Sequence, residues 1–180
     1  MESTNKLDTN TSLENYKYDR RTNFQKVVDW NKTFGIPIDN KPNLDIFKND
    51  PKFIEYRMSL IREEVKELEE AVKNSDMVET IDALSDILVV VYGMGASLGI
   101  DLNETMHLVN DSNMSKSCAS EEEAQKTVDW YIKNEPRYDS PSYRKAENGN
   151  YWIVYNKSTN KILKSINWKI VDFQDYINKK

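Results

Sequence analysis

Apolar residues recur at helical spacing from residue 22 to about residue 134. This periodicity predicts five helices, at residues 22–34, 51–74, 76–99, 101–111 and 120–134. Pro51 is well placed in a first helical turn, and Asp76, Asp101 and Ser120 each precede a Glu by three residues, as N-cap residues often do. Residues 36–50 are predicted to form a Pro-punctuated loop, and residues 1–18, which are polar and without a period, a loose tail.

The pattern changes after Pro136. Runs of β-prone residues at Tyr143, 151–155 and 162–163 are separated by turn sequences at 147–150 and 158–160. They predict a small antiparallel hairpin or three-stranded sheet, followed by a short helix capped by Asp172. The expected fold is therefore mainly α, with a tail (1–18), a bundle of four to five helices (19–134) and a β extension (135–180).

The second and third helices each carry an apolar stripe. On the second helix the stripe comprises Ile54, Met58, Ile61, Val65, Leu68 and Val72, and on the third it comprises Met77, Ile81, Leu84, Leu88 and Val91. Both stripes are predicted to face the core. Further valines cover much of the rest of the third helix, so little of its surface is expected to meet water.

Acidic residues accompany these stripes. Glu64 and Glu67 flank the stripe of the second helix, and Glu79, Asp82 and Asp86 share one line of the third at spacings i, i+3 and i+7. Like charges in apolar surroundings repel one another, and the third helix contains no Lys or Arg to balance them. A divalent cation is the expected partner, and oxygen ligands without His or Cys favour Mg²⁺, with Mn²⁺ as a substitute. The alternative is a solvated, charged helix face.

Composition excludes several classes of protein. The net charge of −5 disfavours a basic surface for nucleic acid or for an anionic membrane. Cys118 is the single cysteine and is expected to be a buried or incidental thiol, whereas the single His107 excludes a zinc site built from histidines. Neither a signal peptide nor an apolar run of membrane-spanning length is found. We expect a cytoplasmic protein that binds neither nucleic acid nor membrane.

The acidic motifs resemble those of a known superfamily. The strings E63-E-V-K-E67, E79-T-I-D82-A-L-S-D86 and S112-N-M-S-K116 resemble the MazG-like and phosphoribosyl-ATP pyrophosphohydrolase-like all-α enzymes, over about residues 22–117. The resemblance implies that Glu64, Glu67, Glu79 and Asp82 ligate Mg²⁺. Asp86, on the same helical line, is a fifth ligand or an acid that orients the others.

The resemblance also implies roles for three further residues. Glu63 matches the acid ahead of the ExxE motif and would orient or deprotonate the attacking water. Asn113 and Lys116 match the pair that contacts the ligand after the fourth helix. The sequence departs from the subgroup at Asn110, where a His is frequent, and residues 120–180 lie outside the shared domain.

Three residues are candidates on their own chemistry. Arg57, on the second helix, could contact a phosphate, although an exposed salt bridge is an equal alternative. Trp30 could stack on a base and Asn31 could hydrogen-bond it, whereas an aromatic residue on an amphipathic helix is more often part of the core. The roles of these three residues in ligand binding are hypotheses.

The expected activity is hydrolysis of a nucleoside triphosphate to the monophosphate and pyrophosphate, as in cleaning of the nucleotide pool. Mg²⁺ would clamp the triphosphate, and a water held by the metal or oriented by Glu63 would attack phosphorus. The resemblance implies a homodimer or homotetramer, in which Gly93, Gly95 and Gly99 would permit close helix approach.

Three alternatives stay open. The enzyme could be restricted to deoxyuridine triphosphate or to phosphoribosyl-ATP. The chain could instead be a catalytically silent helical dimer that binds nucleotide or a protein partner. It could also be a helical domain without any ligand.

Overall fold

Seven helices and three strands are described in the computed structural model, which covers residues 19–180. The helices are α1 (Asn23–Thr33), α2 (Ile46–Asn49), α3 (Pro51–Lys73), α4 (Met77–Ser97), α5 (Leu102–Met114), α6 (Glu121–Asn134) and α7 (Phe173–Asn178). The strands are β1 (Pro141–Lys145), β2 (Trp152–Asn156) and β3 (Lys161–Ile162). The predicted mainly α fold with a small C-terminal antiparallel sheet is confirmed. The predicted tail, residues 1–18, lies outside the described residues.

Short polar side chains cap the helices as the sequence predicts. The Asp76 carboxylate accepts hydrogen bonds from the backbone N–H groups of Val78 and Glu79, and the Ser120 hydroxyl accepts one from Glu123 N. Asp172 caps α7 in the same way. The predicted loop 36–50 contains one feature that the sequence missed, the single-turn helix α2, which is too short to show a helical period.

The chain divides into two compact units. The described residues up to Leu102 form the first unit, and Asn103–Lys180 form the second. The structural division therefore falls near the start of α5, whereas the sequence placed a boundary at residue 134. Helices α5 and α6 cluster with the sheet.

In the first unit, α4 packs against both α3 and α1, and α2 packs against α3. The buried residues along α3 and α4 include Ala71, Ala83 and Gly93, which are small enough for the backbones to approach closely. Between α1 and α4, the rings of Phe24 and Tyr92 meet edge to face, with centroids 6.0 Å apart. Small residues thus set the spacing of the long helix pair.

The loop after α1 is hydrogen-bonded to the end of α4. Asp39 N donates to Ala96 O (3.1 Å), and Asn43 N donates to Leu98 O (3.0 Å). Gly99 follows with φ +71°, and a Cβ there would stand 1.8 Å from Lys41 O, so only glycine fits. The proposed use of Gly93, Gly95 and Gly99 at a subunit contact is corrected, since these three glycines pack against Arg57, Leu102 and Lys41 of the same chain.

The apolar stripes of the long helices are not buried in the single chain. Val65 and Val72 of α3 are exposed, and on α4 Met77 and Ile81 are 69% and 60% exposed. The predicted core position of these residues is therefore wrong for the isolated chain. Helices α3 and α4 pack against each other through their small residues, and α1 covers only part of α4. An apolar stripe of α4 therefore faces outward, and it comprises Met77, Ile81, Leu84, Leu88 and Val91.

In the second unit, the strand order is β1-β2-β3, with both pairs antiparallel. One face of this sheet packs against α6 around a core of buried residues, namely Cys118, Ala124, Val128, Tyr131, Val154 and Leu163. The Tyr131 hydroxyl accepts a hydrogen bond from Lys164 N (3.1 Å). Cys118 is confirmed as a buried thiol, and burial raises its pKa.

Within residues 19–180, no single helix is both long and apolar enough to cross a membrane. The consecutive helices α4 and α5 meet those two criteria only when they are taken together.

Candidate metal and phosphate site

The acids of the ExxE and ExxD motifs lie on two adjacent antiparallel helices. Asn74 to Asp76 form a tight turn between α3 and α4, in which Ser75 adopts φ +56°. Farther along the pair, Arg57 Nη2 contacts Val90 O at 3.4 Å. Because the two helices are antiparallel, residues at equal distances from this contact in the direction of the turn lie opposite each other. Two turns from Arg57 on α3 is Glu64, and two turns from Val90 on α4 is Ala83. Glu64 therefore faces α4 near Ala83.

Glu64 is at the centre of a group of acids. The pKa of Glu64 is raised, first by partial burial and then by the negative charges of Glu67, Asp86, Glu63 and Asp82. Two of these acids are its neighbours on α3, and two come from α4. The structure thus brings together five of the six predicted acids, which are called the acidic cluster below: Glu63, Glu64, Glu67, Asp82 and Asp86.

Glu79 lies one turn of α4 before Asp82. It is exposed in the first turn of α4, three residues after the N-cap Asp76. Asp82 is also exposed, whereas Glu64 and Asp86 are half-buried. The expectation that little of the surface of this helix would meet water is therefore wrong for the single chain, because the stripe of α4 beside these acids is not covered.

The acidic cluster has no cationic partner within the described residues. The ion pairs nearest in sequence, Lys66 with Glu70 and Arg62 with Glu55, involve acids outside it. Across residues 19–180, no three His, Cys, Asp or Glu side chains converge closely enough to enclose a metal ion as they stand. What the structure shows is an uncompensated group of carboxylates, not a closed set of ligands.

Arg57 is buried between the two long helices. Its side chain is almost inaccessible, with 4% exposure for the residue, and burial lowers the pKa of its guanidinium. Nη2 donates to Val90 O, and the buried Nε has no partner. The exposed salt bridge considered for Arg57 is therefore ruled out, because none of the described ion pairs contains it. The phosphate contact stays a prediction.

Trp30 and Asn31 occupy opposite environments on α1. Asn31 is fully buried, and its Nδ2 donates a long hydrogen bond (3.5 Å) to Gly93 O, while its Oδ1 has no partner. Trp30 is 47% exposed and lies against Phe34, with ring centroids 4.9 Å apart. Trp30 is thus not a core residue in the single chain, and its stacking on a base stays a prediction.

Asn113 and Lys116 lie together at the end of α5, in the second unit. Lys116 Nζ donates to Asn113 Oδ1 at 2.7 Å, and Lys116 O accepts a hydrogen bond from Ser165 N (3.0 Å). The backbone position of Lys116 is therefore fixed by the segment that follows the sheet. The contact of this pair with a ligand stays a prediction.

A cavity of about 690 Å³ also lies in the second unit, between α5 and the C-terminal segment that contains α7. Its walls include His107 and Asp111 from α5 and Lys169 and Tyr176 from the C-terminal segment. None of the residues of the acidic cluster, which belong to the first unit, lines it. The cavity is therefore not the predicted metal site.

Two comparisons place the chain among known proteins. Residues 27–113 match the family described as phosphoribosyl-ATP pyrophosphohydrolase. This match confirms the resemblance drawn from the acidic motifs, and it contains the whole acidic cluster together with Asn31, Arg57, Glu79 and Asn113.

A viral protein is similar over most of the chain. The uncharacterized protein L479 of Acanthamoeba polyphaga mimivirus is 28% identical, over 88% of this chain and 97% of its own length. Residues 1–113 alone are too few to supply that coverage. The similarity therefore extends beyond the matched domain into the second unit.

Proposed function

Because residues 27–113 carry a domain of the phosphoribosyl-ATP pyrophosphohydrolase family, we propose that the chain is a Mg²⁺-dependent pyrophosphohydrolase of nucleoside triphosphates. It would split NTP or dNTP into the monophosphate and pyrophosphate. Cleaning of the nucleotide pool in the cytoplasm is the process that such a reaction serves.

The observation that carries this proposal is the charge environment of Glu64. Partial burial and then four other carboxylates from two helices raise its pKa, and none of the ion pairs among the described residues involves these acids. A triphosphate would add further negative charge to the same place, so substrate could bind only together with a cation. A family fold that holds this cluster is best explained by a metal and phosphate site.

The donor set fits Mg²⁺. All of the candidate ligands are carboxylates, which are hard oxygen donors, and Mg²⁺ is commonly bound by one or two carboxylates together with substrate phosphates. Glu64, Glu67, Asp82 and Asp86 would hold the ion, and Glu79, at the start of α4, would join them. When bound, Mg²⁺ would neutralise phosphate charge and make the phosphorus more electrophilic. Mn²⁺ would substitute.

The chain's own residues supply the remaining chemistry. Glu63 is exposed beside Glu64, where its carboxylate can accept a proton from a water molecule and orient its lone pair toward phosphorus. Arg57 would contribute positive charge to a phosphate, and Asn113 with Lys116, in the second unit, would contact nucleotide. Trp30 would stack on the base, and the free Oδ1 of Asn31 would accept a hydrogen bond from it.

The proposal includes a homodimer or homotetramer. The outward apolar stripe of α4 runs over about four turns of the helix, and an apolar surface of this kind marks a contact with another protein. A second copy would bury it and would exclude water beside the acidic cluster. Self-association and metal binding are thus linked through the same helix.

A catalytically silent helical dimer that binds nucleotide or a protein partner is the second candidate. It is favoured by the finding that, within residues 19–180, the acidic side chains do not converge into a closed ligand group. In this case the carboxylates would form a solvated face and Mg²⁺ would bind weakly.

A nucleotide panel distinguishes the candidates. The full chain is incubated with Mg²⁺ and each of the common NTPs and dNTPs, deoxyuridine triphosphate and phosphoribosyl-ATP, and the products are separated by anion-exchange chromatography. The proposal expects monophosphate and pyrophosphate in equal amounts from at least one triphosphate. Orthophosphate with diphosphate, or no turnover of any substrate, would contradict it.

A further inference from the structure

The three-stranded sheet has one face that α6 does not cover. In the antiparallel register, Ser142 pairs with Tyr155 and Arg144 pairs with Ile153, and Tyr155 pairs in turn with Ile162. These five residues share one face, which is called the open sheet face. Tyr143, Trp152 and Val154 belong to the opposite face, which packs into the core with α6.

The open sheet face carries both apolar and cationic side chains. Ile162 is 45% exposed and Arg144 is exposed, whereas Ile153 and Tyr155 are half-buried in the sheet. The Arg144 guanidinium lies over the Tyr155 ring, with Cζ 5.6 Å from its centroid. A planar cation beside an aromatic ring is an arrangement on which a nucleobase can stack.

The surroundings of the sheet reverse the charge of the chain. Residues 136–170 contain seven Lys and Arg against two Asp and Glu, although the whole chain has a net charge of −5. Arg137, with Glu135, is the one member of this basic set in an ion pair within the described residues. Two further members lie over rings, Lys161 over Tyr138 and Lys164 over Trp168, at 5.3 Å and 3.4 Å.

We propose that the open sheet face binds single-stranded nucleic acid. Arg144 on this face and the basic segment around the sheet match a phosphate backbone in charge, and Tyr155 with Arg144 offers a stacking surface for unpaired bases. Stacking on the Tyr155 ring requires a base whose face is free, which a single strand offers and a paired, stacked duplex does not. The net acidic charge of the whole chain, which disfavours nucleic acid, is carried by residues outside this segment.

This inference is independent of the proposed hydrolase activity, because its residues lie in the second unit, outside the family match at 27–113. A chain that hydrolyses nucleotides and does not bind oligonucleotides would overturn only the inference. A chain that binds oligonucleotides and hydrolyses nothing would overturn only the proposed function.

The test uses fluorescence anisotropy of a labelled single strand of about 15 nucleotides with the full chain. We expect saturable binding that weakens with salt, with a logarithmic slope of about −2 to −3 if three or four basic side chains contact phosphates. The duplex of the same sequence should bind at least about tenfold more weakly. Vesicles that contain phosphatidylserine and an acidic polypeptide serve as competitors and should not displace the strand at equal charge concentration.

Variants locate the binding surface. Arg144→Glu should weaken binding about tenfold and make the salt slope shallower by roughly one phosphate contact. Tyr155→Leu keeps an apolar side chain and should weaken binding through loss of stacking. Lys133→Glu, on the exposed side of α6, makes the same charge change away from the open sheet face and should have little effect.

Three results would overturn the inference: no binding of the single strand at about 50 mM salt, displacement of the strand by vesicles or acidic polypeptide, or equal effects of Arg144→Glu and Lys133→Glu. If Tyr155→Leu fails to fold, the comparison of Arg144→Glu with Lys133→Glu still tests the inference. Both of these side chains are exposed, so neither substitution should prevent folding.

Discussion

The guanidinium of Arg57 lies against Gly93 of the neighbouring helix, where a Cβ would stand 2.1 Å from Nη2. Gly93 O also accepts hydrogen bonds from Asn31 Nδ2 and Ser97 Oγ. Three polar side chains therefore converge on one glycine of α4. Arg57 Nε and Asn31 Oδ1 are buried without a hydrogen-bond partner. Unpaired buried polar atoms of this kind are expected where a polar ligand binds.

Replacement of Arg57 by Met tests whether this cation serves binding or stability. A buried cation without a counter-ion has an uncompensated desolvation cost, so Arg57→Met should leave the free energy of unfolding unchanged or raise it by up to about 3 kcal/mol. The KM for nucleotide should rise at the same time. Urea denaturation and steady-state kinetics give the two quantities.

The matched control is Arg62→Met, which removes an exposed arginine paired with Glu55 and should alter neither quantity. A clear loss of stability in Arg57→Met, with KM unchanged, would mean that Arg57 holds the helices together and does not contact substrate.

Substitutions of Gly99 and Gly35 test the contact between the loop after α1 and the end of α4. Both have positive φ, but a Cβ at Gly99 would clash with Lys41 O, whereas one at Gly35 would meet no atom within 4 Å. Gly35→Ala should cost about 1–2 kcal/mol of unfolding free energy from the backbone conformation alone. Gly99→Ala should cost a further ~1–3 kcal/mol from the clash. Equal losses in denaturant titrations would show that the loop moves aside freely.

The outward stripe of α4 predicts self-association. Ile81→Glu places a charge in the centre of the stripe and should shift the chain toward monomer in sedimentation velocity, with reduced hydrolysis. Ile132→Glu changes an equally exposed isoleucine of α6 in the second unit and should leave the assembly intact. A wild-type chain that is monomeric at micromolar concentration would contradict the proposed assembly.

Asp139 predicts the acid sensitivity of the second unit. Hydrogen bonds from Ser158, Asn156 and Ser140 lower its pKa from an ordinary 3.8 to about 2. Because the folded pKa is depressed, its stabilising effect is present above the unfolded value and is lost as the pH falls through the folded one. Asp139→Asn should therefore melt below wild type at neutral pH, and the gap should close between pH 3.8 and about 2.

The control for this comparison is Asp45→Asn, since the Asp45 side chain makes no capping hydrogen bond at α2. Its melting temperature should stay near that of wild type throughout. A gap for Asp139→Asn that persists below pH 2 would show that the amide substitution disturbs packing and not charge.

The sequence predicted the elements better than it predicted their packing. Helical periodicity and N-cap residues such as Asp76 and Ser120 act within a few residues, so the positions of α1, α3, α4 and α6 followed directly. The stripe of α4 was placed in the core because a single sequence does not show which apolar face a neighbour of the same chain covers. Ala71, Ala83 and Gly93 formed the contact instead.

The candidate site was predictable in its residues but not in its arrangement. The ExxE spacing placed Glu64 beside Glu67, and the i, i+4 spacing placed Asp82 beside Asp86, which helical geometry alone ensures. The approach of the two pairs depends on the register of the hairpin, which Arg57 and Val90 fix. The burial of Arg57 and Asn31 had no counterpart in the periodic pattern, because polar residues are normally assigned to the surface.

The most direct test of the central claim is Mg²⁺-dependent release of pyrophosphate by wild type and single carboxylate variants, with Mg²⁺ binding measured in parallel by calorimetry. Glu64→Gln and Asp82→Asn should reduce turnover at least about a hundredfold and weaken Mg²⁺ binding. Glu69→Gln, which removes one exposed negative charge from α3 outside the acidic cluster, should retain both. Turnover and Mg²⁺ affinity equal to wild type in Glu64→Gln and Asp82→Asn would contradict the account at its centre.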